Sequence, residues 1–304
     1  MNVELDDAAT ESIRRYARGA LIKADAMGVV PVPLDQVSAA LRFASPSDLF
    51  DLGGLSPGLR ERIGRLKDKV LGALDIREHV IYLDRDQRAE RQRFHHGHEL
   101  GHFALPWHED AYYGDDWSTL DPDTVDELES EATQFGVELI FGIDGFRDQA
   151  AQYRVGLGAP LELAEAWELS RTATIRRYVQ TSPRACGLLV IGRIPGRERV
   201  RVLKSFESPT FRQRHGFLSR MVPAWLSVDE HELAAAAMDL LRNGGVDPIV
   251  SGEFTVPGGP RLRYELTSNG YRLFALVFDP SLVSLGRRVK PIWTPAAASS
   301  ASGL

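Results

Sequence analysis

The chain has 304 residues, 43% of them apolar and 26% charged, with 36 basic against 42 acidic side chains and a net charge of −6. This is more than one ordinary domain of about 150 residues, and the composition excludes a wholly disordered, fibrous or uniformly basic chain. No basic start followed by an apolar run opens the sequence, and no stretch approaches the roughly 20 apolar residues of a membrane helix, so the expected location is the cytoplasm. Cys186 is the single cysteine. It allows no intrachain disulfide and no CxxC site, so any metal must be held by nitrogen and oxygen ligands.

In chain order, residues 6–28 and 34–43 read as helices, followed by a Ser/Pro/Gly-rich loop at 44–58. REHVIYLDRD at 77–86 alternates as a short strand, and AERQRFHHGHELGHFAL follows with helical spacing until Pro106 stops it. The segment 109–131 holds ten acidic residues and no Lys or Arg. Its second half continues into an amphipathic helix over 123–141, with Val125, Leu128, Ala132, Phe135 and Leu139 on one stripe and Asp121, Pro122 and Asp123 suited to its start. LELAEAWE at 161–168 and RTATIRRYVQ at 171–180, with a break near Leu169-Ser170, read as two short helices around a tight turn, in the manner of a helix-turn-helix. From Cys186 the pattern becomes strand-like, with a helix at 229–242 and an Asn269-Gly270 hairpin signal. The expected fold class is α+β, divided into an N-terminal domain at 1–145, a helix-turn-helix-like module at 146–184, an α+β domain at 185–293 and a flexible tail at 294–304.

The sharpest local feature is His98-Glu99-Leu100-Gly101-His102, in a region holding five of the eight histidines. Residues i and i+4 share one face of a helix, so both imidazoles can reach one zinc ion, with Glu99 beside the coordinated water as general base. His95 and His96 fall on other faces and read as solvated or second in line. Three residues compete for the remaining ligand position. His108 follows His102 by six residues, the interval of HExxHxxGxxH proteases, but Leu105 stands where that motif has its bending glycine. Glu129 and Glu131 flank the apolar stripe of the 123–141 helix symmetrically, about 80° to either side. The small residues Ala132 and Gly136 on the Glu129 side permit a close helix approach, whereas Gln134 and Glu138 on the other side read as solvated, which favours Glu129.

The segment ERQRFHHGHELGHF, with Glu129-Ser130-Glu131-Ala132 and the Phe135–Phe141 run, resembles the core of the ImmA/IrrE family of metallopeptidases. The departures are His95-His96-Gly97, where small or aliphatic residues are usual, and Gly136, where alanine is common. The resemblance implies a zincin-like domain, His98, His102 and Glu129 as zinc ligands, Glu99 as the catalytic base, and a C-terminal α+β domain of the GAF-like sensor kind. Manganese or iron would also accept this ligand set. It further implies a cytoplasmic, site-specific endopeptidase that cleaves a basic helix-turn-helix repressor of the XRE type and so derepresses stress-response or mobile-element genes. The acidic 109–131 segment would steer such a substrate toward the site. Tyr112, Tyr113 and His108 are candidates for stabilising the oxyanion.

The alternative is a DNA-binding or ligand-sensing regulator whose HExxH is structural or inactive, with Arg171, Arg176 and Arg177 touching phosphates. Residues 146–184 carry six basic and four acidic side chains, a thin electrostatic footprint for that role.

Overall fold

A computed structural model describes residues 5–44, 46–48, 72–75, 79–108, 121–193, 198–243 and 249–284. Among the described residues the chain divides into two compact units, one comprising those up to 146 with 167–169, the other 147–166 with 170–284. The expected tail lies outside the described residues.

In the first unit, α1 (Asp7–Lys23) starts where the Asp6 side chain accepts a hydrogen bond from the Ala9 N–H, 2.7 Å away. It buries Ile13, Ala17, Ala20 and Leu21 on one stripe. The short helix α2 (Leu34–Ala40) follows. Strand β3 (Val80–Leu83) lies between β1 (Ser47–Asp48), parallel to it, and β2 (Gly72–Asp75), antiparallel. It then leads into α3 (Ala89–Ala104). Leu105 caps that helix in an extended conformation, and Pro106 begins another helical turn. The second long helix, α4 (Pro122–Ile140), opens as expected: Asp121 accepts from the Asp123 N–H, with Pro122 at the first helical position.

The α3–α4 crossing forms the centre of this unit, and its closeness follows from side chains that are absent. A Cβ built on Gly101 would stand 2.8 Å from the Ala132 carbonyl oxygen, and one on Gly136 would stand 2.9 Å from the His98 nitrogen. Gly97 and Gly136 face each other across this seam. Trp167, fully buried, packs against Gly142, Gly145 and Phe146 and closes the far end of the unit.

His96 is buried rather than solvated. Its Nε2 lies 2.6 Å from the Ser38 hydroxyl, tying α3 to α2. Burial, followed by the nearby Arg93 and Arg85 charges and opposed by Asp35, lowers its pKa to about 4.

The second unit carries α5 (Gly145–Ala150) from Arg147 onward, α6 (Gly158–Ala166) and α7 (Arg171–Thr181). Ser170 caps α7 by accepting from the Ala173 N–H. These helices accompany a six-stranded antiparallel sheet. Its strands β4 (Cys186–Arg193), β5 (Arg199–Glu207), β6 (Trp225–Ser227), β7 (Val250–Thr255), β8 (Arg261–Ser268) and β9 (Leu273–Phe278) stand in the order β6-β5-β4-β9-β8-β7. Helix α8 (Pro209–His215) follows β5, and α9 (Leu218–Met221) leads toward β6. Helix α10 (Glu232–Asn243) packs on β5, β7 and β8.

Every residue of β9 is buried, which explains the LFALVF run: a central strand covered on both faces does not alternate. The Asn269-Gly270 pair does join β8 to β9, through a four-residue loop in which the Asn269 side chain accepts from the N–H groups of Tyr271 and Arg272. Among the described residues, no helix is long and apolar enough to cross a membrane.

Candidate metal centre

Helix α3 presents His98 and His102 one turn apart, and α4 lays Glu129 across from them. His98 Nε2 lies 3.2 Å from His102 Nε2 and 3.2 Å from Glu129 Oε2, and His102 Nε2 lies 3.5 Å from Glu129 Oε1. Ligands held at 2.0–2.1 Å around a tetrahedral ion are separated by about 3.3 Å, so the three atoms already stand at the spacing such an ion requires. Among the described residues, these three are the one group of His, Cys, Asp or Glu side chains close enough to hold a metal.

The electrostatics agree with the geometry. Burial opposes the charge on Glu129, yet hydrogen bonds from His102 and His98 hold its carboxyl far below the usual carboxylate range. Burial likewise opposes protonation of His98, but the Glu129 hydrogen bond and the Glu99 and Glu129 charges outweigh it and raise its pKa. The site therefore favours positive charge. The His102 side chain is 3% exposed and that of Glu129 47%, which leaves the cluster open on the Glu129 side.

Behind each imidazole stands a polar partner. His98 Nδ1 lies 3.3 Å from the Thr133 hydroxyl, one turn along α4 from Glu129. His102 Nδ1 lies 3.1 Å from His108 Nδ1, and His108 Nε2 lies 2.9 Å from Glu131 Oε2. The same carboxylate oxygen accepts from the Trp107 indole at 2.6 Å. Trp107 packs edge-on against Tyr16 of α1. Burial and the neighbouring His102, against the opposing pull of Glu131, lower the pKa of His108 to about 4.

The structure thus brings His98, His102 and Glu129 together and sets His108 and Glu131, the other two ligand candidates, outside the cluster. Glu138 is buried rather than solvated, and Glu131 is buried as well. Glu99 is 8% exposed, and its charge acts on His98. His95 is half-buried, its pKa lowered to about 4 by burial and by the nearby His98. Tyr112, Tyr113 and the stretch 109–120 lie outside the described residues. Sequence reasoning missed Thr133 and Trp107. The i+4 step from Glu129 to Thr133 was a usable signal, whereas nothing local marked Trp107.

Residues 63–178 match the family model of the IrrE N-terminal-like domain, Peptidase_M78. That stretch is similar to the N-terminal domain of the ImmA/IrrE family. The matched stretch includes all three members of the cluster, Glu99, α6 and most of α7. The chain is similar in fold to a Mycobacterium tuberculosis transcriptional regulator of known structure, with a TM-score of 0.54 and 14% identity, covering 90% of this chain and 82% of that one. No curated protein matches the chain.

Proposed function

We propose that this chain is a metal-dependent, site-specific endopeptidase that cleaves a helix-turn-helix repressor of the XRE type in the cytoplasm and so derepresses stress-response or mobile-element genes. The observation that carries the reading is the convergence of His98 Nε2, His102 Nε2 and the Glu129 carboxylate at 3.2–3.5 Å. Two imidazoles and a carboxylate suit zinc, with manganese or iron as alternatives. When bound there, such an ion supplies Lewis-acid polarisation of a peptide carbonyl and lowers the pKa of a coordinated water. Glu99 then accepts a proton from the attacking water and returns it to the leaving amine.

Support for a basic protein substrate comes from the start of α4. Asp121, Asp123 and Glu127 are exposed there, on the helix that carries Glu129. Their field attracts a cationic partner and repels an acidic one. The similarity to a transcriptional regulator supports a place in gene control. Direct DNA binding through the helical pair is less well supported. Arg176 lies 4.6 Å over the Phe206 ring, and Thr174, Ile175, Tyr178 and Val179 bury α7, so much of the second helix is committed to packing within its own unit.

Incubation with its cognate helix-turn-helix repressor is expected to yield a single discrete cleavage, stopped by a chelator and restored by zinc. Absence of cleavage in the metal-loaded protein, or efficient digestion of casein, contradicts the reading.

A further inference from the structure

We propose that His108 and Glu131 are positioning residues of the metal centre, forming a hydrogen-bonded relay behind His102 that fixes the tautomer in which its Nε2 faces the ion. The proposal rests on the metal-centre reading and deepens it. It begins with a question of proton count. Two Nδ1 atoms stand 3.1 Å apart, so a hydrogen bond between them needs one to carry hydrogen and the other to be bare.

Glu131 decides which. Its Oε2 accepts from the Trp107 indole and lies 2.9 Å from His108 Nε2, an arrangement in which His108 Nε2 carries the hydrogen and donates it to the carboxylate. A neutral imidazole with hydrogen on Nε2 has a bare Nδ1, so His108 accepts and His102 Nδ1 donates. In that tautomer His102 Nε2 carries no hydrogen and can turn its lone pair toward an ion, and this is the atom lying 3.2 Å from His98 Nε2 and 3.5 Å from Glu129 Oε1. A carboxylate on α4 thus sets the tautomer of a ligand on α3 through one intervening ring.

Burial makes the arrangement costly to lose. His108 is fully buried and Glu131 is 7% exposed, so neither group can exchange its protein partner for water. A buried carboxylate behind an imidazole also increases that imidazole's electron donation, and loss of such supporting groups commonly weakens metal binding about 10–100-fold. Helix α4 therefore supplies one ligand, Glu129, and a supporting group for each of the other two: Thr133 for His98 and, through His108, Glu131 for His102.

The test compares zinc affinity, measured by competition with a chromophoric chelator, in the wild type, Glu131→Gln, His108→Asn and His108→Phe, with circular dichroism of the metal-free forms as the folding control. Phenylalanine removes the acceptor for His102, whereas asparagine keeps an oxygen near the position of His108 Nδ1. The expected order is wild type tightest, Glu131→Gln and His108→Asn weaker by about tenfold, and His108→Phe weakest, by up to about 100-fold. NMR of the zinc-loaded wild type with labelled histidine is expected to show a slowly exchanging Nδ1–H on His102, lost in His108→Phe. If His108→Phe does not fold, Glu131→Gln and the NMR signal still decide. Wild-type affinity in Glu131→Gln together with hydrogen on the Nε2 of His102 overturns the relay while leaving the metal centre standing. A wild type that binds no zinc overturns the metal-centre reading itself, and the relay with it.

Discussion

Glu99→Gln is expected to retain its metal and lose its cleavage. Glutamine keeps the shape of the side chain and removes neither imidazole nor the Glu129 carboxylate, so metal content should equal that of the wild type. What disappears is the proton acceptor. General acid–base catalysis by one positioned group contributes roughly 10²–10⁴-fold, about 3–5 kcal/mol of barrier, and Glu99 is the carboxylate that neighbours His98 without belonging to the ligand cluster. The measurement is kcat on the cleaved repressor alongside metal stoichiometry. Activity within tenfold of the wild type would remove Glu99 from the role of base. An unchanged regulatory effect in the cell would instead favour the regulator whose HExxH is inactive.

The second large effect is structural and has an unusual sign. Alanine in place of glycine within a helix normally stabilises by about 1 kcal/mol. At Gly19 of α1, exposed and with nothing within 4 Å of an added Cβ, that gain is expected. At Gly101 the added Cβ meets the Ala132 carbonyl oxygen at 2.8 Å and the Ala132 Cα at 3.0 Å, both backbone atoms that move only if α3 and α4 separate. Overpacking of this kind costs about 1–3 kcal/mol, enough to reverse the propensity gain. Gly101→Ala should therefore lower the unfolding midpoint in urea while Gly19→Ala raises it. Because the same separation draws Glu129 away from His98 and His102, zinc affinity should fall in Gly101→Ala and stay unchanged in Gly19→Ala. Stabilisation by both substitutions would show that the seam does not set the ligand spacing.

The seam also explains what could be read from the residues. The strand into HExxH, the start of α4 at Asp121-Pro122 and the preference for Glu129 all follow from local signals: alternation, capping residues, and small side chains on one flank of a helix. The supporting groups were out of reach because their partners are distant in sequence. His108 and Glu131 each had a spacing compatible with ligation. Only the extended cap at Leu105 and the new helical turn at Pro106 set His108 behind His102 rather than before the metal. His96 looked solvated because its partner, Ser38, lies 58 residues upstream. Glu138 read as exposed because charge outside an apolar stripe usually is; here it is buried beside Gln134, which donates to it, just as Glu131 is buried against Trp107 and His108.

The most direct measurement is anomalous diffraction at the zinc edge from crystals of the metal-loaded protein. The account predicts one ion per chain, with His98 Nε2, His102 Nε2 and a Glu129 carboxylate oxygen each within about 2.0–2.2 Å. An ion bound elsewhere, or a cluster that stays empty in saturating zinc, contradicts it.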